Sequence, residues 1–169
     1  MSQVELEVQK KLVDISKSQL IGNTAWTQAI MNSLTALAYA PPYGYYVYGK
    51  KCNNVDNTIT GCLYDMLWYS PKTLSYLPGD NTIFYKIHLV LECEWKRNVG
   101  EIMYDFQKLI QARADHRVMI FESDDTDLMI DRMIEYAELS PLSVKGDRFL
   151  IAALHADDYT FKFKCHVKI

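Results

Sequence analysis

The sequence predicts an α/β layer fold, a central mixed sheet with helices packed against it. Three observations carry this. Segments with helical periodicity and segments with strand periodicity are interleaved along the chain. The run Ile87-His88-Leu89-Val90-Leu91 is apolar on both faces but for His88, as befits a strand interior to a sheet. Tyr159 to Ile169 alternates apolar and polar residues without a break, the pattern of a half-buried strand.

Taken in order, Val4, Val8, Leu12 and Ile15 fall at helical spacing, so Val4 to Gln19 reads as an amphipathic helix ending near Gly22-Asn23. A second helix follows, with Asn23 or Thr24 as cap and Trp26, Ile30, Leu34 and Leu37 on one face, and Pro41-Pro42 stops it. Tyr43 to Gly49 is an aromatic strand or ordered loop, and Lys50 to Thr58 a polar loop. Ile59 to Tyr69 reads as a strand ended by Ser70-Pro71, and Pro78-Gly79-Asp80-Asn81 as a turn.

The strand Ile83 to Trp95 should then pair antiparallel with its predecessor. Alternation puts Ile87, Leu89, Leu91, Cys93 and Trp95 on one face, and His88, Val90, Glu92 and Glu94 on the other. Ile102, Phe106, Leu109, Ile110 and Arg113 make Val99 to Ala114 helical, and Arg117 to Glu122 is a short buried strand. That strand–helix–strand passage fits a right-handed parallel βαβ unit. Ser123-Asp124-Asp125 opens a helix through about Glu138, and Pro141 closes that region. Phe149 to Leu154 and Tyr159 to Ile169 complete the strands. No repeat, low-complexity segment or linker divides the chain, so residues 1–169 read as one domain.

Composition narrows the function. The net charge is −3, which argues against a protein held on nucleic acid by bulk charge alone but leaves room for a local basic site. Cys52, Cys62, Cys93 and Cys165 show no C-x-x-C spacing, so free thiols in a reducing cytoplasm are expected and a zinc site is not. The first residues lack the features of a signal peptide, and no stretch approaches the roughly 18 apolar residues of a membrane span.

The chemistry centres on Glu92-Cys93-Glu94, two carboxylates ending an apolar strand. Buried carboxylates are costly unless something positive meets them. Asp65, in the strand-like run Leu63 to Trp68, is a third acidic residue in apolar company. Oxygen ligands from Asp65, Glu92 and Glu94, with water and a substrate phosphate, suit Mg²⁺ or Mn²⁺. On the following helix Asp105 and Lys108 share a face, which can aim Lys108 at a phosphate. The plainer alternative has Glu92 and Glu94 emerging into solvent beside Lys96 or Arg97, with Asp105–Lys108 a surface pair.

Asp65, Glu92-Cys93-Glu94 at the end of an apolar strand, a helix with Gln107-Lys108 and the strand Arg117 to Phe121 together resemble the core of the PD-(D/E)XK nuclease superfamily. That restriction-endonuclease-like core runs helix, three strands, helix, strand, in three layers with a central mixed sheet. It would span about residues 24–122, with an N-terminal helix at 3–20 before it and a C-terminal helix and strands at 124–169 after it.

The resemblance implies a Mg²⁺-dependent nuclease acting on nucleic acid, DNA in the first instance, with a homodimer where both strands of a duplex are cut. Asp65 and Glu92 would be the metal carboxylates, with Asp80 as the substitute for Asp65. Glu94 stands where the family lysine is usual, an E-x-E variant in which Lys108 or Lys96 would take the lysine's role. The alternative function is an inactive nuclease-fold module that binds nucleic acid or protein.

Other features are weaker. The basic face of the last strand (Lys162, Lys164, His166, Lys168) fits edge protection first and a phosphate track second. Asp124, Asp125 and Asp127 read as helix-start charges. His88, His116 and His155 lack partners at ligand spacing, no pattern indicates a Ser or Cys nucleophile, and there is no Gly-rich phosphate loop.

Overall fold

The computed structural model describes residues 1–18, 20–49, 63–74 and 82–169. Two helices come first, α1 (Gln3–Ser16) and α2 (Asn23–Tyr39), then three strands, β1 (Tyr46–Gly49), β2 (Met66–Thr73) and β3 (Thr82–Glu94). After them come α3 (Val99–Gln111), β4 (His116–Ser123), α4 (Thr126–Leu139), β5 (Arg148–His155) and β6 (Phe161–Val167). Among the described residues the strands form one sheet in chain order, β1 to β6. β1, β2 and β3 are antiparallel, β3, β4 and β5 are parallel, and β6 returns antiparallel. The α/β class and the mixed sheet are those expected, and β3 is interior, between β2 and β4.

Alternation along the strands sorts the core into two layers. Val118, Ile120, Leu150 and Ala152 pack with Val8, Leu12, Ile30 and Leu34 of α1 and α2. Met119, Phe121, Phe149 and Ile151 pack on the opposite face with Ile102, Phe106, Met129 and Met133 of α3 and α4. Each of these Val, Leu, Ile, Phe and Met side chains, once buried, contributes about 1.5–3 kcal/mol. Both parallel crossovers therefore lie on the same face of the sheet.

Several boundaries depart from expectation. The residue before α2 is Gly22 at φ 84°, with no side-chain cap, so neither Asn23 nor Thr24 holds that position. The strand expected to end at Ser70-Pro71 runs on to Thr73. Pro71 is tolerated because β1 pairs only as far as Tyr69 and because the β2–β3 register shifts at Ser70/Pro71, so no regular ladder bond is lost there. Asp65 precedes β2 instead of lying within it.

A second register shift takes Trp68 opposite Leu89 and Tyr69 opposite Ile87, so His88 is an extra residue in β3. Such a bulge reverses the facing of what lies beyond it. Ile87 accordingly joins the α3–α4 layer, while His88 stacks on Tyr45, which belongs to the opposite layer, at 3.9 Å between ring centroids. The helix expected to reach Ala114 ends at Gln111, where Ala112 takes up extended backbone. The polar loop Lys50 to Thr58, the strand start from Ile59, the Pro78–Asn81 turn, Asp80, Cys52 and Cys62 lie outside the described residues.

Candidate functional site

Because β2 runs antiparallel to β3, with Met66 opposite Leu91, the start of β2 lies beside the end of β3. This brings Asp65 to Glu92-Cys93-Glu94, and Asp65 Oδ2 accepts a hydrogen bond from the Cys93 amide at 3.0 Å. Asn98 caps α3 through the amides of Gly100 and Glu101, and that helix then crosses the sheet face on which Glu92 sits. Lys108, on its last turn, reaches Glu92 Oε1 at 2.8 Å and Asp105 Oδ1 at 2.8 Å. Asp65, Glu92, Glu94, Lys96, Asp105 and Lys108 thus line one cleft of about 380 Å³, closed on the far side by Asn23 and Thr27 of α2. It lies at the carboxyl end of β3, the end at which open α/β sheets place their ligands.

Glu92 is fully buried. The Lys108 ammonium is close enough for an ion pair but off the direction of a hydrogen bond, and neither carboxylate oxygen has a hydrogen-bond partner. Burial pushes the Glu92 carboxyl up from 4.5 to about 8 against the pull of Lys108, and the charges of Asp65 and Asp105 add to the rise. Burial works against the Lys108 ammonium as well, but Asp105 and Glu92 outweigh it and hold its pKa above the ordinary value. The Asp105–Lys108 pair is therefore a half-buried bridge to Glu92 and not a surface pair.

The two glutamates differ. Glu94 is half-buried and accepts the Lys96 amide at 2.7 Å. Lys96 itself is exposed, with Nζ 3.7 Å from Glu101. Arg97 turns away to Glu122 and Asp124, so the solvent-exposed pairing of Glu92 with Lys96 or Arg97 does not form. Among the described residues, no three His, Cys, Asp or Glu side chains converge closely enough to hold a metal by themselves.

The other candidates are engaged in structure. On β6, Lys162 pairs with Asp127 and His166 meets Glu138 at 2.7 Å, while Lys168, just past the strand, meets Glu138 at 3.4 Å. Asp125 caps α4 through the Leu128 amide, while Asp124 pairs with Arg97. The contribution of α2 to the cleft had no sequence signal. Thr27 reads as an ordinary helical residue, yet its Oγ1 accepts from Trp95 Nε1 at 2.8 Å and fixes the indole at the cleft wall.

Fold and cleft together define an α/β mixed-sheet protein with a buried carboxylate–ammonium cluster at its strand ends. Comparison with models of protein families, with curated proteins and with solved structures gives no match. No helix among the described residues is long and apolar enough to cross a membrane.

Proposed function

We propose that this cleft binds Mg²⁺ or Mn²⁺ and hydrolyses phosphodiester bonds of nucleic acid, DNA first, on a restriction-endonuclease-like core. The observation that carries the reading is Glu92, a fully buried carboxylate with two oxygens lacking hydrogen bonds, beside Asp65 and Lys108 in an open cleft. Hard oxygen donors of this kind fit a divalent cation, and Mg²⁺ needs only one or two carboxylates when water and substrate phosphate complete its shell. Asp65 and Glu92 would hold it, with Glu94 assisting. The cation would supply Lewis-acid polarisation of a phosphoryl oxygen and acidify a bound water.

The chain's own residues supply the rest. Lys108 brings a positive charge that Asp105 and Glu92 sustain, placed to meet a phosphate oxygen or to orient the attacking water, and exposed Lys96 is the second candidate for that role. The order α2, β1, β2, β3, α3, β4 also supports the reading, since it is the helix, three strands, helix, strand of the nuclease core.

A second reading, an inactive nuclease-fold module that binds nucleic acid or protein, draws on the Lys108–Glu92 ion pair, which meets the buried charge without a cation. Calorimetric titration of Mg²⁺ and Mn²⁺ into wild type and Glu92→Ala, with a nuclease assay on the same samples, separates the two. Cation binding and cleavage that both vanish in Glu92→Ala establish the nuclease. No heat in either protein favours the module.

A further inference from the structure

Away from this cleft, at the bulged part of the β2–β3 pair, three side chains that the sequence keeps apart form a hydrogen-bonded chain. Ser70 Oγ lies 2.8 Å from His88 Nε2, and His88 Nδ1 lies 3.1 Å from Asp115 Oδ2. We propose that Ser70, His88 and Asp115 form a second reactive site, a serine nucleophile with its base and orienting carboxylate, which accepts an acyl group from an ester.

The geometry has a direction. Asp115 also receives Lys86 Nζ at 2.8 Å, and this contact together with His88 keeps its carboxyl below the ordinary range although burial works the other way. An ionised Asp115 only accepts, so His88 donates from Nδ1, and its Nε2 is left to accept the Ser70 hydroxyl proton. Burial pushes the imidazole pKa down against the pull of Asp115, which keeps that Nε2 lone pair free at neutral pH. Stacking on Tyr45 fixes the ring plane. The extra residue in β3 is His88 itself, and re-aiming a side chain is what a bulge does next to a reactive site. Ser70 is half-buried, lies one residue beyond the last pair of β1 and is paired with Lys86 of β3.

The step balances without a cofactor. Ser70 Oγ attacks the acyl carbon as His88 Nε2 takes its proton, and the ester C–O bond breaks as the departing alkoxide takes that proton back. Water then releases the acid from the acyl-serine by the same route. His88 is the base, and Asp115 is a positioning residue that acts through it.

The test is labelling of the folded wild-type protein with a fluorophosphonate, with the adduct located by mass spectrometry and p-nitrophenyl acetate hydrolysis followed in parallel. An adduct on Ser70 is expected, absent in Ser70→Ala, with labelling and hydrolysis slowed about 100-fold or more in His88→Gln. Asp115→Ala should slow labelling, and Asp115→Glu should restore it. Wild-type protein without an adduct on Ser70 overturns the proposal whatever the variants do, and so does a labelling rate that His88→Gln leaves unchanged.

Discussion

Lys108 Nζ stands 2.8 Å from Glu92 Oε1, and the carboxylate it meets has no exposed surface. The pair joins a helix to the strand before it, and its charge state sets how the fold responds to pH. Burial raises the Glu92 carboxyl from 4.5 to about 8, so the folded protein holds a proton that the unfolded chain releases. Stability contributed by this site therefore falls as pH rises from 4.5 to 8 and is level outside that window. The slope is at most about 1.4 kcal/mol per pH unit. Glu92→Gln should remove it, making the variant no less stable than wild type at pH 5 and more stable at pH 8. Parallel slopes for the two proteins in denaturant unfolding across that range would show that Glu92 is not the titrating group.

Lys108→Met should show the converse. At pH 6 Glu92 is largely neutral, and the variant loses mainly the half-buried contact with Asp105, about 1 kcal/mol. At pH 9 the wild-type carboxylate is ionised and paired, whereas the variant, without its ammonium partner, keeps Glu92 protonated, which adds up to about 1.4 kcal/mol to the loss. Urea unfolding at the two pH values measures the difference. Equal losses at both would mean that Lys108 stabilises by packing and not by charge.

How much of this was legible in the sequence depends on what kind of information each feature needs. The faces of β6 follow from period-two alternation, and α3 from apolar residues three and four apart, because these patterns are local. The position of Lys108 beside Glu92 was legible as well, since a helix that follows a strand directly must cross back over it. The facing of Ile87 and His88 was not, because the bulge between β2 and β3 is set by how two strands pair. The strand through Pro71 escaped for a similar reason, since proline is excluded only where a ladder partner needs its N–H, and β1 has ended by then. The Ser70–His88–Asp115 chain draws one residue from each of three segments, with no spacing to betray it.

The lysines on and just after β6 bear on the nucleic-acid reading from outside the cleft. Lys162 meets Asp127 and Lys168 meets Glu138, so part of the basic face is neutralised by α4. Lys162→Gln should cost no more than about 1 kcal/mol in stability, as surface pairs do. It should also leave the salt dependence of binding to a DNA oligonucleotide unchanged. A slope of log affinity against log salt that falls by about one unit would instead make Lys162 a phosphate contact.

Glu5 titrates in the sense opposite to Glu92. In α1 it completes a capping box, accepting the Ser2 amide at 2.7 Å while Ser2 Oγ accepts the Glu5 amide. The same carboxylate takes Arg148 of β5 through two nitrogens at 3.0 and 2.8 Å and lies 3.3 Å from His116 Nδ1, so it pins the first helix to two strands. Burial alone would raise its pKa, but the hydrogen bonds from His116, Arg148 and the Ser2 amide win and hold it far below the ordinary 4.5. A depressed carboxyl contributes stability that is fully present above the unfolded value and is lost as pH falls through and below it. Glu5→Gln keeps the shape and removes the charge, so it should cost about 3 kcal/mol at pH 6, where hydrogen bonds to a charged group are lost. That cost should shrink as the pH drops below 4.5, since wild type then begins to lose what the variant lacks. Thermal unfolding of both proteins between pH 3 and 6 measures it, and a cost that stays constant over that range would mean that Glu5 contributes through its cap and packing alone.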